Sequence, residues 1–144
     1  MKSVQILTHE VAVNAYLINN NSFLLLKRNT SSFTWGPPGG RLMELEDPIE
    51  GLKREVYEET GQLPEVLEPV TTWFGQFNGR LLLSIDYLCQ TGKPAIQLSS
   101  EHLAYQWLTI STLRRDEQIY FNTPSGFQLA DYEKAWLRYK SLFP

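Results

Sequence analysis

One segment constrains this 144-residue chain more than any other. Residues 39–61 read Gly-Gly-Arg-Leu-Met-Glu-Leu-Glu-Asp-Pro-Ile-Glu-Gly-Leu-Lys-Arg-Glu-Val-Tyr-Glu-Glu-Thr-Gly. They carry the start and stop signals of one helix. Asp47 is placed to cap it, Pro48 takes the first helical position, where no N–H is needed, and Glu50 stands three residues after the cap to complete a capping box. Gly61 supplies the left-handed residue that ends the helix, so the spacing predicts a helix over 48–60. Ile49, Leu52 and Val56 fall on one apolar stripe and are expected to be buried. Glu55, Glu58 and Glu59, at i, i+3 and i+4, share a second face. At about 100° per residue that face is centred roughly a quarter-turn from the stripe. Burying the stripe therefore leaves three carboxylates at the edge of the buried side, within reach of a neighbouring loop.

Like charges at this spacing cost a helix ~0.2–0.5 kcal/mol per pair. A hard divalent cation offsets that repulsion, and carboxylate oxygens are the ligands Mg²⁺ prefers. Arg54 adjoins the cluster, can pair with Glu58 one turn on, and can hold a metal-facing carboxylate in place. Gly51 costs the helix ~1 kcal/mol relative to Ala. Two readings of it stay open: room for the glycine loop or a ligand, or close packing against the sheet. A Glu-rich helix face alone is ordinarily solvated surface, so the rest of the segment decides.

Gly40, Glu46, Arg54, Glu55, Val56, Glu58, Glu59 and Gly61 stand in the register G-x5-E-x7-R-E-U-x-E-E-x-G-U, with U a bulky aliphatic. In that register the segment resembles the signature of the Nudix hydrolase family. At average residue frequencies a chance match is on the order of one in ten million, which outweighs the solvated-surface reading. The approach Trp35-Gly36-Pro37-Pro38-Gly39-Gly40 and the glutamate-then-tryptophan pattern from Glu101 to Trp107 are also similar to family members. Gln62 departs from the pattern, with Leu63 next door to fill the aliphatic position. Met43 and Leu45 stand where many members have Glu and Gly.

The resemblance implies an α/β (α+β) fold, the Nudix α/β/α sandwich with a mixed central sheet. It also implies Mg²⁺- or Mn²⁺-dependent hydrolysis of a diphosphate linkage in a nucleoside diphosphate derivative. By the same resemblance Glu55, Glu58 and Glu59 are metal ligands with the carbonyl of Gly39, Glu46 supports the loop, and Arg54 orients the glutamates. Pro37 and Pro38 stiffen the approach, while Gly39 and Gly40 let backbone groups come close to a ligand. Arg28 and Arg41 are candidates for phosphate contacts, each with a solvated basic residue as the alternative. Trp73, Phe74 and Phe77 are read as core or as a surface for base stacking. His9 and His102 lack ligand-like spacing and are read as incidental, and Trp107 as core. Glu101, in the polar loop Ser99-Ser100-Glu101-His102, is a candidate for the base that deprotonates water; the alternative base lies on the signature helix.

Elsewhere, Val11–Ile18 reads as a strand buried on both faces, Asn19–Asn21 as a turn, and Phe23–Leu26 as the returning strand. Val70–Phe74, Arg80–Leu88 and Ala104–Leu108 read as further strands. A last helix over 125–142 is expected to bury Leu129, Tyr132, Trp136 and Tyr139. One domain over 1–144 is expected, because the chain has the length of one domain and no linker. Lys and Arg number 13 against 16 Asp and Glu, a net charge of −3 that argues against a nucleic-acid polymer or an anionic membrane as partner. A small nucleotide substrate is compatible with it, and a homodimer is left open. Cys89 is the single cysteine and sits in an apolar stretch, which points to a buried thiol and a reducing, cytoplasmic setting. Met1–Gln5 carries no signal-peptide core, and no apolar run approaches the ~20 residues of a membrane span. Two other function classes compete with this reading. A catalytically silent nucleotide-sensing module on the same fold would be free to lose its carboxylates, and this chain keeps them. Diphosphate isomerisation would need further acid/base groups. Motifs of ADP-ribose, dinucleoside polyphosphate, coenzyme A and NADH subfamilies are not found, which weakens those options without excluding them and leaves a (d)NTP or a nucleotide sugar open.

Overall fold

The computed structural model describes residues 8–30, 33–124 and 126–144; the reading of Met1–Gln5 and the expected helix start at 125 lie outside them. In chain order the elements are β1 (Glu10–Asn19), β2 (Ser22–Arg28), β3 (Trp35–Gly36), β4 (Gly39–Arg41), α1 (Pro48–Thr60), β5 (Glu65–Phe77), β6 (Arg80–Gln90), β7 (His102–Thr109), α2 (Ile110–Arg115), α3 (Glu117–Tyr120) and α4 (Leu129–Leu142). Among the described residues the seven strands form one mixed sheet in the order β3-β2-β1-β6-β5, with β4 on β1 and β7 on β2. β1 and β6 run parallel and the other pairs antiparallel. β1 is buried on both faces, as its continuous apolar run requires. Val13, Ala15 and Leu17 meet Leu52 and Val56 of α1 on one side. Tyr16 and Ile18 meet α2 and α4 on the other, where Tyr132 packs edge-on against Tyr16 and Phe23. The sheet is thus covered on both faces, the sandwich the resemblance implied.

One split in this sheet makes room for a site. β2 pairs with β1 only at the hairpin end, Ile18 opposite Phe23. Further back, β4 takes that edge of β1, with Asn14 opposite Gly39 and Val13 opposite Gly40. The glycine strand is thereby fixed to the middle of β1, on a buried polar footing. Asp86 accepts from Asn14 Nδ2 (3.0 Å), Thr71 Oγ1 (2.8 Å) and Ser84 Oγ (2.6 Å). Burial pushes its carboxyl above the ordinary range, against those three donors.

Several expectations change. Ile49, in the first turn of α1, is 41% exposed and not part of the buried stripe; the buried face is Gly51, Leu52, Val56, Glu59 and Thr60. Asp47 caps α1 through Ile49 N and Glu50 N, but the Glu50 carboxylate faces Lys53 Nζ at 3.8 Å instead of closing a capping box. Leu63 does not fill the position of Gln62. It is 77% exposed, while Gln62 itself is buried, donating to Ala95 O (2.5 Å) and accepting from Thr91 Oγ1 (2.6 Å). An amide satisfied at both ends tolerates the interior that an aliphatic would otherwise occupy. α4 begins at Leu129, capped by Gln128 with Asp131; Tyr132 and Ala135 are its fully buried residues, with Leu129, Trp136 and Tyr139 packed around them. The short helices α2 and α3 were not foreseen, since six and four residues carry too little periodicity. Trp73, Phe74 and Phe77 are exposed, not core. Cys89 is fully buried, and burial pushes its thiol up to about 12.

Candidate active site

The site is built by pressing α1 onto the glycine strand. A Cβ on Gly40 would stand 2.5 Å from the Glu55 carboxylate, so only glycine lets that side chain lie against the strand. A Cβ on Gly51 would meet Leu42 Cδ2 at 2.3 Å and Glu46 Oε1 at 2.9 Å. Gly51 therefore makes room for the loop that follows the glycines, the first of its two readings.

Arg54 organises one side of the carboxylate face. Its Nε and Nη2 hold Glu46 at 2.7 and 2.9 Å, and Nη1 reaches Glu55 at 3.0 Å and Glu58 at 3.2 Å. Glu46 also accepts from Met43 N at 3.0 Å. The Arg54 guanidinium, with that backbone N–H, holds the Glu46 carboxyl down at about 2. Glu46 and Arg54 thus brace the loop onto the helix.

The other side is charged and poorly compensated. Glu59 is buried and accepts from Gly39 N at 2.7 Å. Burial raises its carboxyl to about 8 against that bond, and the charges of Glu55 and Glu101 push the same way. Burial also raises Glu55, with Arg54 opposing it. The loop before β7 closes over this side. Ser99 N donates to Glu59 O (3.1 Å), Gln97 N to Thr60 O (2.9 Å), and Asn29 N to Glu101 O (3.0 Å).

Between loop, helix and glycine strand lies a cavity of about 620 Å³. Glu55, Glu58, Glu59 and Glu101 line it with Gly39, Gly40, Arg28 and Arg41. Glu46 and Arg54 do not line it: Arg54 stands behind the wall, in contact with Glu46, Glu55 and Glu58. Arg41 also pairs with Glu10 at 3.1 Å, and the Arg28 guanidinium lies 5.8 Å from the centre of the Phe77 ring. His102 corrects the sequence reading: it is not incidental but lines the cavity, with Nε2 3.5 Å from Glu59 Oε2. Its adjacency to Glu101 in a loop assigned to the site was the available signal. Trp107 is half-buried, donating to Pro94 O at 3.0 Å.

The donor set fits a hard cation. It offers the carboxylate oxygens of Glu55, Glu58 and Glu59 on one cavity, and burial first, then the repulsion of neighbouring carboxylates, raises Glu55 and Glu59. Among the described residues no three acidic, His or Cys side chains already converge as a finished cage. Such a cation would have to draw them together.

Comparison with known proteins follows the same lines. A family model described as NUDIX domain matches residues 8–125. A MutT-like protein of Streptomyces ambofaciens is 34% identical over 101 residues, 70% of this chain but only 64% of that relative. The MutT protein of Methanosarcina mazei Go1 superposes with a TM-score of 0.71 at 23% identity, covering 94% of this chain and 95% of its own. An Ap4A hydrolase of C. elegans, solved as a binary complex, gives 0.72 at 22% identity over 93% and 96%. At these identities the two structures establish a shared fold.

Proposed function

The chain belongs to the Nudix family, and from that premise we propose that it hydrolyses a diphosphate linkage in a nucleoside diphosphate derivative, such as a (d)NTP or a nucleotide sugar, with Mg²⁺ or Mn²⁺. The observation that carries this reading is the gathering of Glu55, Glu58 and Glu59 with Gly39 and Gly40 on one cavity that also holds Arg28 and Arg41. The three glutamates and the Gly39 carbonyl would hold the cation. When bound, it neutralises the diphosphate, acidifies water and stabilises the leaving phosphate. Arg54 keeps Glu55 and Glu58 aimed by hydrogen bonds it already makes. Arg28 and Arg41 face the phosphate oxygens. Glu101 accepts the proton of the attacking water; its carboxylate lines the cavity and its charge is felt at both Glu55 and Glu59.

The test is a panel of NTPs, dNTPs, oxidised dNTPs, ADP-ribose, sugar nucleotides and dinucleoside polyphosphates, with products identified by mass. Cleavage at a diphosphate bond in Mg²⁺ that stops in excess EDTA is expected. No turnover of any member with either cation would replace the enzyme by a silent binding module, and full turnover in EDTA would remove the metal from the mechanism.

A further inference from the structure

His102 is a side chain of the cavity to which the proposed chemistry gives no part. Its side chain and that of Glu59 are each only 8% exposed, and Nε2 stands 3.5 Å from Glu59 Oε2. Its Nδ1 lies 3.3 Å from Ser99 Oγ, within the turn closed by His102 N donating to Ser99 O. The Ser99 hydroxyl can donate to Nδ1, the arrangement that puts the proton of the neutral ring on Nε2, facing the glutamate. The same turn is stitched to the main chain of Glu59 by Ser99 N. Gly39 N already occupies the other carboxylate oxygen, Oε1. Glu59 therefore has Gly39 N of β4 hydrogen-bonded to one oxygen and the His102 ring nitrogen of β7 standing 3.5 Å from the other.

We propose that His102 is a positioning residue: its Nε2–H fixes the plane of the Glu59 carboxylate, so that this oxygen pair is set for a divalent cation before the cation arrives. The inference rests on the reading of Glu59 as a cation ligand. A ligand held by an outer donor loses less freedom on binding, and removing such a donor typically weakens metal affinity 10–100-fold.

Three substitutions separate the donor from mere bulk. His102→Gln places an N–H near the reach of Nε2, His102→Met has similar length and no donor, and His102→Asn has a donor that stops short. Mn²⁺ affinity is measured without substrate, from the electron paramagnetic resonance signal of the free ion, beside thermal melting of each metal-free variant. Met and Asn should each weaken Mn²⁺ binding at least tenfold, with melting temperatures close to wild type, and Gln should stay within threefold of wild type. Should Met or Asn fail to fold, the remaining one against Gln carries the comparison. Equal affinity in all the folded variants and wild type overturns the inference, as does a loss in Gln as large as in Met or Asn. A wild type that binds no Mn²⁺ overturns the ligand reading itself and takes this inference with it; that failure is recognised because it appears before any substitution is made.

Discussion

Two glutamates of the signature segment, Glu46 in the loop before α1 and Glu59 near the helix end, stand in opposite environments. Glu46 is gripped by Arg54 through two bonds and held down at about 2. Glu59 is buried beside one backbone N–H and a histidine and raised to about 8. The first has its counter-charge in the fold, so its ionised form strengthens the native state. The second is a buried acid whose ionised form lacks a matching cation. Buried charge left this way destabilises a protein, and it persists where a ligand supplies the missing charge. The difference separates the part of the signature that builds the loop from the part that awaits a cation.

The largest expected effect tests the Glu59 end. Glu59→Gln keeps the shape and the bond from Gly39 while deleting the charge. Turnover should fall by on the order of 10²–10⁴, while the metal-free protein melts no lower than wild type. Turnover at the wild-type rate would make Glu59 a structural residue like Glu46 and erase the contrast. Glu101→Gln comes next. It removes a charge that bears on both Glu55 and Glu59, and turnover should drop at least tenfold with a changed pH–rate profile and an unchanged melting temperature. An unaltered rate and profile would move the base to the signature helix, with Glu55 the first residue to test.

The Glu46 end answers to acid instead. A carboxyl at about 2 in the fold, against the ordinary 4.5, contributes stability that is complete above 4.5 and is lost as pH falls from 4.5 towards 2. Glu46→Gln should therefore melt lower than wild type at neutral pH and show a flatter decline through that window. Identical acid limbs in the two proteins would mean that the Arg54 grip contributes nothing, and the two ends would no longer differ in kind.

Much of this was legible in the chain, and the reasons differ by element. Helix α1 was readable to its ends because Asp47, Pro48 and Gly61 act locally, through backbone groups within a turn of themselves. The three glutamates followed from helical periodicity. Ile49 differs from its expectation because periodicity gives a direction and not the extent of the surface opposite. Gln62 and Leu63 exchanged expected roles because partners for a buried amide, Thr91 and Ala95, lie about 30 residues away. His102 escaped for the same reason. Its meaning depends on a loop folding back onto α1, which brings His102 to a side chain 43 residues away, and adjacency to Glu101 was the one local pointer to it.

The smallest effect tests how rigid the Arg54–Glu46 brace is. Leu45, fully exposed, has φ +62°, in the left-handed region that costs a non-glycine residue about 1 kcal/mol or more. It is held there by its neighbour: Glu46 N donates to Met43 O at 3.1 Å, and the Glu46 carboxylate returns to Met43 N. Glycine at this position removes the steric cost but widens the unfolded ensemble by ~0.4–1 kcal/mol. Leu45→Gly should thus melt at or slightly above wild type. Leu45→Val, whose branched Cβ crowds the same conformation, should melt below it by about 1 kcal/mol in stability. Turnover should be unchanged in both, because the side chain points to solvent and touches none of the glutamates. The ordering depends on a brace stiff enough that the backbone cannot relax towards negative φ. If glycine and valine melt alike, the loop adjusts freely, Glu46 does not hold it, and the braced end of the signature segment is no more rigid than the end left waiting for a cation.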